Sequence, residues 1–255
     1  MPARVAAIYD IHGNIPALEA VLAEIDREGV DLVVIGGDVT SGANSREALD
    51  RLMALADRAV WIRGNCEREL VAAFDREPGY EPKTDIERGT AWEAATIERR
   101  HRDVLASLPT SVTVQIDGVG NVLFCHGSPH SDDEMLTSIT SEERLTRILS
   151  GVHADVVVCG HTHVQFDRAA LGMRVVNAGS VGLAYGEPGA HWSLFGPGVE
   201  LRRTAYDREA AVSSARASAH PLTGMLVEML ENPPTAEAAS QYFEEAAVKL
   251  EATSR

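Results

Sequence analysis

Three short apolar runs, Val5 to Tyr9, Leu32 to Ile35 and Val60 to Ile62, are separated by stretches in which apolar residues recur at helical spacing. That alternation restricts the first part of the chain to βαβ units, in which strands buried in a sheet pair in parallel and are joined by helical crossovers. Between the first two runs, Ile15, Leu18, Leu22 and Ile25 share one helical face. Asn44 stands three positions before Glu47, the spacing of a capping box, and predicts a helix through about Ala56.

The pattern changes twice. Cys66 to Leu108 reads as a helical insertion interrupted by Pro78, Gly79 and Pro82, with Trp92, Ile97, Val104 and Leu105 as inward positions. After Pro109, strands are predicted at Ser111 to Ile116, Asn121 to Cys125, Asp155 to Cys159, Gln165 to Ala170, Arg174 to Val176, Trp192 to Phe195 and Glu200 to Thr204. Turns such as Asp117-Gly118 and Gly196-Pro197-Gly198 favour hairpins and a second sheet. Ser141 to Ser150 is expected to be a helix. From about Asp207 the chain is rich in Ala and Glu, predicting short helices broken at Pro221 and Pro233-Pro234.

A length of 255 residues suits one large domain, or one domain with appendages, since a domain typically takes about 100 to 200 residues. With 45% hydrophobic and 24% charged residues the chain can bury a substantial core. Its net charge of −15 argues against an extended nucleic-acid surface, which needs clustered Lys and Arg. The same excess is either solvated surface or, where carboxylates gather, a place for cations. Cys66, Cys125 and Cys159 form no CxxC pair and leave one cysteine over, which fits a reducing cytoplasm. The opening MPARVAAIYD has too short an apolar run for a signal-peptide core or a membrane span, so an unanchored chain is expected.

The polar residues that composition does not account for stand at strand ends. Asp10 and His12 follow the first strand, Asp38 the second, Asn65 the third, His126 the Asn121 to Cys125 strand, and His161 with His163 the Asp155 to Cys159 strand. Each has glycine beside it, at Gly13, Gly36-Gly37, Gly64, Gly127 and Gly160, as expected of tight turns that let backbone approach a small site. In an open α/β sheet ligands collect outside the carboxyl ends of the strands, so five loops should converge. Imidazoles and carboxylates with one amide oxygen and no thiolate cage favour Mn²⁺, Fe or Zn²⁺ over Ca²⁺. Seven ligands exceed one tetrahedral ion, and two ions sharing a carboxylate would use them; Asp38, alone in its loop, is the expected bridge.

The ordered series Asp10-Ile11-His12, Gly36-Gly37-Asp38, Gly64-Asn65, His126-Gly127 and Gly160-His161-Thr162-His163 resembles the calcineurin-like metallophosphoesterase superfamily, in particular its small bacterial phosphodiesterase branch. The resemblance covers about Arg4 to Thr204, and Asn177-Ala178-Gly179-Ser180-Val181-Gly182 is similar to a glycine-rich segment of that branch. It implies an α/β fold, a four-layer αββα sandwich over residues 1–205 with the insertion at about 67–108 and a helical tail at 206–255. It also implies a site in which Asp10, His12, Asp38 and His163 hold one metal and Asp38, Asn65, His126 and His161 the other. Two ions roughly 3.5 to 4 Å apart can share a hydroxide that attacks phosphorus in line. The implied cofactors are two divalent ions, Mn²⁺ first, with Fe, Zn²⁺ or Ni²⁺ as alternatives. The implied substrate is a small phosphorylated molecule.

One position departs from the wider family. Many members carry His after the Asn, where this chain has Cys66. A thiol cannot stand in for an imidazolium, and proton donation to a poor leaving group contributes about 10² to 10⁴-fold, so diesters or activated leaving groups are favoured over monoesters. Cys66 is alternatively a small buried filler. Asp38, Asn65, Cys66 and His126 are the expected catalytic residues. Arg63 and Arg68 could contact substrate phosphate or serve as surface ion pairs, and His130 could protonate a leaving group. Asp132-Asp133-Glu134 reads as a solvated loop, and Cys125 and Cys159 as core. His101, His153, His191 and His220 lack the strand-end context. The expectation is a cytoplasmic phosphodiesterase. A phosphatase, a nucleotide pyrophosphatase and a non-catalytic scaffold are the alternatives, and a homo-oligomer built through the insertion or the tail remains open.

Overall fold

The computed structural model describes residues 1–76, 79 and 81–253, so the break expected at Pro78 lies outside the described residues. Among the described residues ten strands form two five-stranded sheets. In the first, β1 (Val5–Ile8), β2 (Leu32–Ile35) and β3 (Ala59–Trp61) run parallel, joined by α1 (Ile15–Arg27) and α2 (Ser45–Met53). This is the βαβ arrangement that the alternation of runs predicts. β9 (Ala190–Phe195) adds antiparallel to β1, and β10 (Val199–Thr204) to β9. The second sheet has the order β4 (Ser111–Ile116), β5 (Gly120–Cys125), β6 (Val156–Cys159), β8 (Met173–Asn177), β7 (Phe166–Ala170). The last hairpin therefore belongs to the first sheet and not the second. Its hydrophobic register matches β1 across the antiparallel pair Val5 to Phe195 and Ala7 to Ser193, a long-range pairing that turn spacing does not encode.

Alternation along the strands makes the layers. Val5, Ala7, Tyr9 and Val34 face Val122, Phe124, Val156, Val158 and Val176 across the space between the sheets, with Phe124 edge-on to Phe195 at 5.6 Å between ring centroids. Ala6, Ile8, Val33 and Ile35 face the other way, onto Leu18, Leu22 and Ile25 of α1 and Leu49 and Leu52 of α2. Val157 and Cys159 likewise pack on Leu145 and Ile148 of α6 (Glu142–Ile148). Both faces of the central strands are covered, which is why they read as unbroken apolar runs. The result is the four-layer αββα sandwich.

The stretch after β3 forms α3 (Asn65–Phe74), α4 (Asp85–Thr96) and α5 (Arg99–Ser107). Ile97 and Leu105 are buried as expected, while Trp92 and Val104 are half-buried and Trp92 lies edge-on to His220 at 5.1 Å. Asn44 occupies the N-cap position of α2 without capping it; its amide donates to Gly13 O at 3.3 Å and Ser214 Oγ at 2.9 Å instead. The last three helices are α7 (Arg208–Ala217), α8 (Thr223–Glu231) and α9 (Ala236–Thr253). Among the described residues no helix is long and apolar enough to cross a membrane.

Candidate metal centre

The carboxyl ends of β1, β2, β3, β5 and β6 open on one edge of the sandwich, and backbone bonds knit their loops together. Asp10 and His12 donate their amides to Gly37 O and Asp38 O, each at 3.0 Å. Gly160 N donates to His126 O at 2.8 Å, and His161 N to Asp10 Oδ2 at 2.9 Å, which joins the two sheets. The closeness needs glycine: a Cβ on Gly64 would stand 2.2 Å from Asp38 Oδ1, and one on Gly160 2.6 Å from Asp10 Oδ2.

The backbone itself marks the site. Among the described residues eight non-glycines have positive φ, and five of them are Asp10 (53°), His12 (47°), Asp38 (53°), His161 (65°) and His163 (57°). Left-handed conformations of bulky residues cost of order 1–3 kcal/mol each and persist where surrounding bonds over-determine them. Here that strain aims five polar side chains at one point.

The side chains meet there. Asp10, His12 and His163 bring one donor atom each within 4.8 Å of one another, as do Asp38, His126 and His161, and a third group joins His12, Asp38 and Cys66. Three rings are pinned from behind: Nδ1 of His12 lies 2.9 Å from Thr40 O, that of His126 2.9 Å from Gly36 O, and that of His163 2.9 Å from Leu183 O. Such bonds hold a proton on Nδ1 and aim Nε2 inward, where it can receive either a second proton or a metal ion. Nε2 of His12 and Nε2 of His163 then face each other at 3.1 Å. Two lone pairs at that distance need a shared cation or proton between them. Asp10 Oδ1, Asn65 Oδ1, His126 Nε2 and His161 Nε2 are buried with no hydrogen-bond partner. Asp10, His126 and His161 belong to the ligand groups, and orphaned atoms gathered there are what a divalent ion would satisfy, so the residues fit a metal centre.

Electrostatics in the metal-free centre have the same origin. Burial works to raise the Asp38 carboxyl, but His126, followed by His12 and His161, holds it well below the usual carboxylate range. Burial works against the His126 imidazolium, yet Asp38 and then Asp10 raise it to about 10. Burial and the neighbouring His126 lower His161 to about 4, and burial and His163 lower His12, keeping both neutral. The Cys66 thiol is pushed well up by burial and then by Asp38, and it donates to Asp38 Oδ2 at 3.1 Å. It is a protonated neighbour of the bridge position, not a thiolate.

Two buried supports stand behind the ligands, of which Glu67 has no strand-end position to announce it and Asn177 opens the glycine-rich segment. Glu67 is fully buried and accepts from the amides of Asp38 (2.8 Å), Val39 (2.9 Å), Thr40 (3.2 Å) and Gly64 (2.9 Å), tying the β2 loop to the start of α3. Burial and then Asp38 raise its carboxyl above the ordinary value, while the amide bonds act in the opposite direction. Its signal was its place three residues after Gly64, the capping-box spacing. Asn177 bonds Gly160 O at 2.8 Å and Thr162 Oγ1 at 3.0 Å, bracing the turn that carries His161 and His163.

Of the residues offered as substrate contacts, the two arginines form ion pairs. Arg68 Nε lies 3.0 Å from Asp132 and its terminal nitrogen 2.6 Å from Asp133, and Arg63 Nε is 3.6 Å from Asp132. Asp132, with its carboxylate only 12% exposed, is therefore an ion-pair partner rather than part of a solvated loop. His130 is exposed and lines a groove against α9 with Met135, Arg144 and Leu250, outside the three ligand groups. His101 bonds Asp50 at 2.8 Å and His220 bonds Glu93 at 3.0 Å, structural roles away from the centre.

A family model described as the calcineurin-like phosphoesterase superfamily domain matches residues 3–194. An uncharacterized protein of Methanocaldococcus jannaschii is 24% identical over 183 residues, 69% of each chain. The phosphodiesterase YfcE of Escherichia coli is 34% identical over 70 residues, 24% of this chain and 38% of that protein. The crystal structure of a metallophosphoesterase from Sphaerobacter thermophilus superposes with a TM-score of 0.74 at 25% identity, covering 91% of this chain and 100% of that one.

Proposed function

Because the chain belongs to the calcineurin-like phosphoesterase superfamily and is a phosphoric ester hydrolase, we propose that it is a phosphodiesterase with a dinuclear centre. Asp10, His12, Asp38 and His163 hold one divalent ion, and Asp38, Asn65, His126 and His161 the other. The observation that carries this reading is the set of buried atoms without hydrogen-bond partners on Asp10, His126 and His161, in the same ligand groups as the facing Nε2 atoms of His12 and His163. Imidazole, carboxylate and amide donors without thiolate favour Mn²⁺, with Fe, Zn²⁺ and Ni²⁺ able to compete. When bound, such a pair supplies Lewis-acid stabilisation of phosphoryl charge and a water of lowered pKa.

The chain's own residues do the rest. Thr40, Gly36 and Leu183 carbonyls fix the tautomers of His12, His126 and His163, and Glu67 holds the Asp38 loop, so the donors need no rearrangement to receive the ions. Cys66 keeps its proton and donates a hydrogen bond to Asp38, so this position offers no imidazolium to assist a poor leaving group. That favours diesters with leaving groups that depart unaided over monoesters of simple alcohols. The three unpaired cysteines support a reducing cytoplasm as the compartment.

The experiment is hydrolysis of an aryl phosphodiester by protein loaded with Mn²⁺, beside the matching monoester, a nucleotide and a dinucleoside polyphosphate. Preference for the diester supports the proposal; preference for another substrate moves it to a phosphatase or pyrophosphatase, and inactivity of fully loaded protein makes the chain a scaffold. Cys66→His should raise monoester turnover relative to diester by about tenfold or more, and an unchanged ratio would remove Cys66 from the account of selectivity.

A further inference from the structure

The two halves of the centre are supported from different directions. The half built on Asp38, His126 and His161 leans on Gly36 O and on Glu67 of α3. The half built on Asp10, His12 and His163 leans in addition on the loop 182–186. Leu183 O takes the Nδ1 proton of His163 at 2.9 Å, Tyr185 N donates to His163 O at 3.2 Å, and Gly182 N donates to Asp10 O at 3.0 Å. Asn14, two residues after His12, donates to Gly182 O at 2.8 Å.

What holds that loop is the C-terminal segment, which lies beyond the residues 3–194 matched by the family model. Leu183 is buried among Ala211, Val212 and Ala215 of α7 and Leu226 and Leu230 of α8. Tyr185 is buried with Val164 and Ala239, and Phe243 of α9 packs on the same cluster. The Tyr185 ring lies between the His163 ring, 5.1 Å away, and the Phe243 ring, stacked at 6.4 Å. Gly186 N is tied to Pro234 O, just before α9, at 3.0 Å. The helix is anchored in turn by the largely buried Arg144, which pairs with Glu244 at 2.6 Å and Glu251 at 2.9 Å. Both large side chains of the loop are therefore held by the last three helices, while its backbone sets the ring of a ligand.

From this geometry we infer that the C-terminal helices are a positioning element for one metal site only, the Asp10, His12 and His163 half, acting through Leu183 and Tyr185. The inference rests on the two-ion reading above. Removing the helical support lets Leu183 O and the Tyr185 ring move, frees the His163 imidazole to turn, and weakens that half. The half that leans on Glu67 and Gly36 keeps its supports. The tail is then the means by which this chain sets occupancy of its second ion.

Phe243→Ala and Leu230→Ala in the full chain test this, since neither residue is a ligand. Two-site Mn²⁺ binding is measured by calorimetry, and ¹⁵N spectra of the histidine rings identify which site is affected. The expected result is weakening of one site by about tenfold or more with the other within about twofold, and, in metal-free protein, altered His12 and His163 resonances with those of His126 and His161 unchanged; loss of a group that orients a metal ligand typically costs about 10 to 100-fold. Phe243→Leu, which keeps the apolar bulk, should restore most of the affinity, and thermal melts of the metal-free variants identify any that fail to fold. Equal weakening of both sites, loss at the His126 and His161 half, or two unchanged sites in the folded variants would overturn the inference while leaving the two-ion centre standing. Absence of any Mn²⁺ binding by the wild-type protein would remove the two-ion reading first.

Discussion

Asp38 carries more of the site than any other residue. It sits between the ligand groups, accepts from Cys66, and faces His126 Nε2 at 3.4 Å. Asp38→Asn keeps the volume and removes the charge, so the fold should persist while kcat falls by more than about a hundredfold, a loss of several kcal/mol of transition-state stabilisation; near wild-type turnover with unchanged metal content would take the bridge away from Asp38. His126 makes a second prediction. Its folded pKa of about 10 lies above the ordinary 6.5, so in metal-free protein its contribution to stability is complete below pH 6.5 and is lost as pH rises through about 10. An ion binding at neutral pH must displace that proton. Calorimetry in buffers of different ionisation enthalpy should register proton release near pH 7, and Mn²⁺ affinity should rise with pH; binding with no proton release would contradict the assignment. The seven donors themselves were legible because each follows an apolar strand and neighbours a glycine. The left-handed backbone at Asp10, His12, Asp38, His161 and His163 was not, since positive φ at Asp and His is imposed by tertiary bonds and not by propensity.

At the scale of elements, the link between α3 and the β2 loop governs how well Asp38 is held. Glu67 accepts four backbone amides there. Glu67→Gln keeps the shape but turns an amide group toward N–H donors, so it should destabilise the protein by about 1.5 to 3 kcal/mol. Urea titration would show this as a lower midpoint with unchanged slope, and an unchanged midpoint would mean the amides find other partners. Short elements were readable where hydrophobic period and length agreed, as in α1, β4 and α6. They misled where a long-range partner decided the outcome. The β9 and β10 hairpin reads like those before it, yet it pairs with β1, with Phe195 opposite Val5, a contact between segments 190 positions apart. Asn44 has the capping spacing, but Gly13 O and Ser214 Oγ compete for its amide. Asp132 reads as loop because the two arginines that pair with it lie more than sixty positions earlier.

The whole molecule brings together donors separated by 151 positions, as between His12 and His163, by packing two sheets face to face so that their strand ends share one rim. Strand-end chemistry made the rim predictable; the Ala- and Glu-rich sequence of the last helices, lacking chemistry of its own, gave no indication that they support one side of it. With a net charge of −15 the chain tends to attract cations, while the buried rings and carboxylates decide where they stay. Anomalous X-ray diffraction at the manganese edge, from crystals grown with Mn²⁺, tests the central claim most directly. The account predicts two peaks flanking Asp38, one against Nε2 of His12 and His163 and one against Nε2 of His126 and His161. A single peak, or density away from Asp38, would contradict it.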